Sequence, residues 1–254
     1  MKKILLFSTI LLLALGCQND NVTNEVAVGS ENYPRSPNLK LLPMELSPES
    51  ETDQTALMQS YGYDDGQVVF GVHGIRLGSS SELSGNVALA HYKKATHVHL
   101  NINNERHVLS NTNVFDFGLE DGDYQLFAFI NHSYRVAIKN PNSVLVKQMK
   151  IKNKKLAKSS NIVSPTLIYN MPYGVFKAER SDQIPVDFLL WNRQRSGEEY
   201  FQIIIDNQYT FKVSNNQPHY LQGLSKGKHK CMVEYRDAND VLILPAVSAT
   251  FELE

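Results

Sequence analysis

"HLNINNERHVLSNTNVFDFGLEDGDYQLFAFI" (His99–Ile130) and "IIIDNQYTFKVSNNQPHYLQGLSKGKHKCMVEY" (Ile203–Tyr235) follow one plan twice. Each opens with an apolar strand that closes on an Asn/Asp-Asn pair, Asn103-Asn104 in the first copy and Asp206-Asn207 in the second. Asn and Asp tolerate left-handed backbone, so both pairs predict tight hairpin turns. A second strand and a polar stretch follow in each copy. Next comes Gly118-Leu119 or Gly223-Leu224, a further glycine at Gly122 or Gly227, and a strand with apolar residues at period two. The shared GL-x-x-G element predicts a chain reversal that tucks one leucine into a core between two permissive glycines. Two such units predict tandem domains of similar plan.

The rest of the chain agrees in kind. "GQVVFGVHGIRL", "NVALAHY", "PVDFLLW", "YFQIIID", "QYTFKV" and "SATFELE" alternate or run apolar, and are rich in β-branched and aromatic residues, as strands are. Helical spacing is weak outside the N-terminus, with a short helix around Leu57-Met58 the one candidate. The expected fold is all-β: two tandem immunoglobulin-like β-sandwiches. The expected divisions are a signal segment over 1–16, a flexible tether over 17–50, a first sandwich over 51–170 and a second over 171–254, joined near Met171-Pro172. In "PVDFLLW" both strand faces are apolar, so that strand is expected to lie under a neighbouring domain or loop.

The first residues speak to location. Lys2 and Lys3 precede "ILLFSTILLLALG", an apolar run too short for a stable membrane span. It ends at Ala14-Leu15-Gly16-Cys17, which resembles the lipobox of bacterial lipoproteins, in which the signal is cut before the Cys and that Cys carries the lipid. Ala14 stands where the usual pattern has Leu. Gln18 rather than Asp follows, which by analogy with lipoprotein sorting favours the outer membrane. The polar, Asn- and Ser-rich stretch after it reads as the tether. The chain has 2 Cys. With Cys17 lipidated, Cys231 has no intramolecular partner, and a disulfide framework is excluded. Cys231 then reads as a small buried hydrophobe.

"THVHLNINN", "LIYNMPYGVF", "PVDFLLWN", "IIIDN" and "HYLQGLSKGKHKCMVEYRDANDVLI" together resemble a group of two-domain lipoproteins of Bacteroidetes-type bacteria. The likeness runs from about Gly66 to the end. It implies immunoglobulin-like sandwiches at the cell envelope rather than a particular reaction. Some similar sequences are described as phosphopeptide-binding, but the Arg cluster such recognition uses is absent here. The loop Asn131-His132-Ser133-Tyr134-Arg135-Val136-Ala137 departs from the group's pattern by losing an acid and exchanging its Arg and His positions.

Three places could carry chemistry. His97 and His99 alternate on one strand and leave it on the same face. Two neutral imidazoles so placed suit zinc or copper if a third ligand approaches, and His132, with Tyr134, is the candidate from the neighbouring loop. The alternative is a polar strand face hydrogen-bonded to a covering segment. The matching strand of the second copy carries Gln202 and Ile204, so the fold does not require these histidines. The second place is "VKQMKIKNKKLAK" (Val146–Lys158), whose lysines, Lys152, Lys154 and Lys155 among them, suit either a solvated hairpin or edge, or attraction to anionic lipid or glycan. The third is Trp191, the only Trp, a candidate for sugar stacking. "EDGDY" lacks the remaining oxygen ligands of a calcium loop. "GLSKGKHK" lacks the spacing of a phosphate loop. Enzyme signatures are absent, and so is the aromatic interleaving that nucleic acid would need. The expectation is a lipid-anchored, non-enzymatic module with an envelope protein or glycan as partner and no resident cofactor, or else a metal-binding envelope protein.

Overall fold

In the computed structural model the described residues are 33–46, 51–81, 89, 95–177 and 183–254. The signal segment, Cys17 and most of "NVALAHY" lie outside them. In chain order the strands are β1 (Lys40–Pro43), β2 (Leu57–Asp64), β3 (Gln67–His73), β4 (His97–Ile102), β5 (Arg106–Ser110), β6 (Val114–Asp116), β7 (Gly122–Asn131), β8 (Val144–Lys152) and β9 (Lys155–Asn161). They continue as β10 (Thr166–Met171), β11 (Gly174–Phe176), β12 (Ile184–Trp191), β13 (Tyr200–Ile205), β14 (Tyr209–Val213), β15 (His219–Gln222), β16 (Gly227–Arg236) and β17 (Leu242–Leu253). A single turn of helix, α1 (Glu51–Thr55), precedes β2, and Leu57-Met58 opens the strand rather than a helix. The chain is all-β, built from packed sheets, as its alternation predicts.

Strands β5-β4-β7-β8-β9-β2-β3-β6 form one 8-stranded sheet. It folds back on itself, because Val98, Leu100 and Ile102 of β4 share a core with Tyr63, Phe70 and Phe115 of β2, β3 and β6. The second half is a two-sheet sandwich: β1-β15-β12-β10 faces β11-β17-β16-β13-β14 over Tyr169, Phe188, Phe201, Ile203 and Tyr235. Between these cores lies a third, in which Phe127, Phe129, Val144 and Val146 meet Ile168 and Leu189. Strand β7 is therefore buried on both faces, with Leu126, Ala128 and Ile130 in one core and Phe127 and Phe129 in the next. That double burial is why "LFAFI" runs apolar without alternation.

Two expected boundaries move. Residues 40–43 of the expected tether form β1, which pairs antiparallel with β15 from Lys40↔Gln222 to Pro43↔His219. Leu39 and Leu41 pack on the second core and Met44 is buried, so apolar residues at the tether's end have somewhere to go. Strand β10, assigned by sequence to the first sandwich, pairs with β12 and belongs to the second.

The repeat is reproduced in backbone detail. Asn103, Asn104, Asp206 and Asn207 have φ of 57°, 58°, 58° and 55°, the left-handed values that a type I′ hairpin turn needs. The first side chain of each pair clips the turn to the next strand: Gln125 N–H donates to Asn103 Oδ1 at 2.8 Å, and Lys230 N–H donates to Asp206 Oδ1 at 2.8 Å. Leu119 and Leu224 are the tucked leucines, one in each core.

The glycines are less alike. Gly223 has φ +82°, and a Cβ there would lie 2.5 Å from the Asn38 carbonyl oxygen, whereas Gly118 has open space around it. Gly223→Ala is therefore expected to cost roughly 1–3 kcal/mol through left-handed strain and displacement of the segment leading into β1. Gly118→Ala is expected to stay within about 0.5 kcal/mol of wild type. Urea melts of the two variants check this, and equal losses would refute it.

Candidate functional site

Strand β4 presents His97, His99 and Asn101 to the second half of the chain, and all three are buried. Opposite them, β10 and β12 contribute Asn170 and Asp187, both fully buried. The Asp187 carboxylate takes three donors from different elements. Lys139 Nζ approaches Oδ1 at 2.5 Å, while Ala137 N–H at 2.9 Å and Asn170 Nδ2 at 2.6 Å donate to Oδ2.

The carboxylate can only accept, so it fixes the Asn170 amide with its NH2 toward Asp187 and its oxygen toward β4. Asn131 Nδ2 donates to that oxygen at 3.0 Å, and His99 Nδ1 lies 2.6 Å from it. His99 must therefore carry its proton on Nδ1. Burial holds the His99 pKa well below the ordinary histidine value, with the neighbouring His107 adding to the effect. Its Nε2 is then a lone pair, and His107 Nδ1, 2.9 Å away, supplies the proton. Burial also lowers His107, to about 4, so this ring is neutral at pH 7 and its Nε2 is a lone pair in turn. One buried ion pair thus sets the tautomers of two histidines in series. His107 stacks on Tyr173 with centroids 4.3 Å apart and planes 16° apart.

This stack forms part of an open cleft of about 600 Å3 at the junction of the two halves. Arg106 and His107 line it from β5, Tyr173 from the segment before β11, and Lys230, Ser248 and Thr250 from β16 and β17. The hairpin turn is seated by Asn104, whose Nδ2 donates to Leu167 O at 3.1 Å and whose Oδ1 accepts Tyr169 N–H at 3.0 Å.

His97, His99 and His132, the expected metal ligands, each turn to separate partners. Among the described residues no group of three His, Cys, Asp or Glu is placed to hold a metal ion. Both ring nitrogens of His99 are taken by Asn170 and His107. His97 Nδ1 faces Ala95 O at 3.0 Å. His132 instead stacks on Tyr134, 4.8 Å between centroids, with its Nε2 3.7 Å from Asp53. Tyr134 is buried against Met44, Leu89 and Val136, so it is a core residue rather than a contact surface. Trp191 packs on the middle core and its Nε1 donates to Ile162 O at 3.0 Å. Its strand lies largely buried, as its two apolar faces predict, and the half-buried indole lines a shallow cleft with Val146, Lys147 and Asn161.

Lys152, Lys154 and Lys155 are exposed at the β8–β9 hairpin. Acids from elsewhere in the chain reach this end: Asp121, in the bend before β7, accepts the backbone N–H of Asn153 and Lys154, and Lys155 lies 3.4 Å from Asp64 of β2. Cys231 is fully buried and burial pushes its thiol up to about 12, which denies it a thiolate.

His107, Tyr173, Asn170, Asp187 and Lys139 were missed by sequence reading. Asp187 did leave a trace, as the one acid inside the apolar run "PVDFLLW".

No protein-family model matches the chain, and no curated protein matches it. Among solved structures, the fibronectin(III)-like modules of Clostridium thermocellum CbhA are similar at 12% identity over 78% of this chain and 94% of that one, with a TM-score of 0.27. The FN1–FN3 domains of chicken CNTN1 are similar at 7% identity over 78% of this chain and 64% of that one, with a TM-score of 0.25. The all-β assignment stands on the chain's own sheets.

Proposed function

We propose that this chain is a lipid-anchored cell-envelope module that binds its ligand, without catalysis, in the cleft between its two halves. The carrying observation is that cleft, whose His107–Tyr173 stack is braced from behind by a hydrogen-bonded chain ending in the Asp187–Lys139 pair. Bracing of this kind makes a preorganised surface, which lowers the ordering cost of binding. The chain spends both nitrogens of His99 on structure, which makes that ring a support for the cleft wall. Anchoring rests on the lipobox-like Ala14–Cys17 run, and Gln18 supports the outer membrane. An envelope glycan or protein is the partner class, held near the membrane by the lipid on Cys17.

In a Gram-negative host fed an alkyne-tagged fatty acid, the full chain is expected to take up label and sediment with membranes. Cys17→Ala is expected to take up none and to appear in the soluble fraction. An unlabelled wild-type chain would overturn the anchoring.

A further inference from the structure

We propose that the junction cleft recognises an acidic saccharide, a polyol bearing a carboxylate or phosphate. This rests on the cleft-binding reading above and names its ligand class. Arg106 and Lys230 bring two cations to the lining, against one acid, Glu105. The cleft therefore favours an anion while keeping an acceptor for hydroxyl donors.

Arg106 is held in place. Its guanidinium carbon sits 4.0 Å from the Phe117 ring centroid, and Nη1 donates to Gly118 O at 3.2 Å. A fixed guanidinium loses less freedom on pairing with an oxyanion than a swinging one does. Lys230 rises from β16 beside Thr250, its register partner on β17. Its backbone is tied to Asp206 through the turn clip.

Ser248 and Thr250 are two apart on β17, so their hydroxyls leave the same face. Each can donate and accept, which matches a run of sugar hydroxyls better than it matches a bare ion. Tyr173 is half-buried and stacked on His107. An aromatic ring in a polar cleft offers a flat surface for the C–H face of a pyranose. Cations, paired hydroxyls, an acceptor and one braced ring are together the complement of a charged sugar, and an apolar ligand would leave most of these groups unpaired.

The test is calorimetric titration of the full chain in detergent with trigalacturonate, its methyl ester, mannotriose 6-phosphate and a hexaglutamate peptide. At least one acidic sugar is expected to bind, with the methyl ester and the peptide each about tenfold weaker or more. Lys230→Gln is expected to weaken the acidic sugar by about tenfold, and Ser248→Ala by a smaller factor. Failure of both acidic sugars, or equal binding of the ester or the peptide, overturns the ligand class. Thr250→Trp, on an exposed position, fills the cleft and separates the two readings. If solubilised envelope glycan is retained by wild type and not by Thr250→Trp while the defined acidic sugars fail, the ligand class falls and the cleft stands. If wild type and Thr250→Trp retain that glycan equally, or if wild type retains neither glycan nor envelope protein that Thr250→Trp loses, the cleft-binding reading falls as well.

Discussion

Asp187→Ala is expected to destabilise the fold by about 3–5 kcal/mol, because breaking a buried pair strands its partners in low dielectric. The side chain is fully buried, while Lys139 is 23% exposed, so the lysine can recover some hydration and the Ala137 N–H and Asn170 amide cannot. The loss should not stop at the ion pair. Without the carboxylate, the Arg135 carbonyl at 3.2 Å is the one remaining backbone acceptor that keeps the Asn170 NH2 turned away from β4, so the acceptor that His99 Nδ1–H needs is held less firmly. Asp187→Asn keeps the shape and one acceptor, so a smaller loss is expected. For a chain of this length, 3–5 kcal/mol corresponds to a fall in Tm of roughly 10 °C. Urea unfolding of wild type, Asp187→Ala, Asp187→Asn and Lys139→Met checks it. A loss below about 1 kcal/mol for Asp187→Ala would show that the network is ornamental. The NMR signature of the His99 and His107 tautomers in Asp187→Asn reads the relay separately from stability.

Stability is expected to fall as pH drops from about 6.5 to about 4, with the fold well formed at neutral pH. Burial lowers His97 and His107 each to about 4, from the ordinary histidine value of 6.5. The unfolded chain therefore binds more protons than the folded one across that window, and the native state loses ground as pH falls. Each of the two contributes roughly 3 kcal/mol over the full interval. His99 moves in the same direction under the same burial, as do His132 and His219. The carboxylates Glu199 and Asp240 are also lowered, through their hydrogen bonds to Tyr235 and Tyr200. Their contribution is lost only further down, below the histidine window. Unfolding free energies at pH 7, 6, 5 and 4.5 should thus fall by several kcal/mol, and His97→Gln should flatten the slope. A flat profile from pH 7 to 5 would contradict the buried, neutral histidines.

Most of the strands and both hairpin turns were legible because their causes are local. Alternation at period two, Asn/Asp-Asn at a turn and a leucine between glycines all act within a few residues. The tucked Leu119 and Leu224 and the four left-handed turn residues appear where the repeat predicts them. What failed was membership. Strand β10 reads like any other apolar strand, and only its pairing with β12 places it in the second sandwich. β1 sits in a polar neighbourhood, and its partner β15 lies far along the chain.

The histidine strand shows the division most plainly. Alternation alone puts His97 and His99 on one strand face, and the repeat alone shows that the second copy manages without them. Neither could determine what that face meets. His99 touches Asn170, 71 residues away, and Asn131 touches the same Asn170 across 39. Asp187 reaches Lys139 over 48 residues. Contacts at such separations depend on how two sheets stack, which no periodicity encodes. What the imidazoles meet follows from the stacking of the sheets: His99 Nδ1 reaches Asn170 in the neighbouring layer and its Nε2 meets His107 in the cleft wall, so both of its nitrogens are engaged, while His97 Nδ1 turns back to Ala95 O.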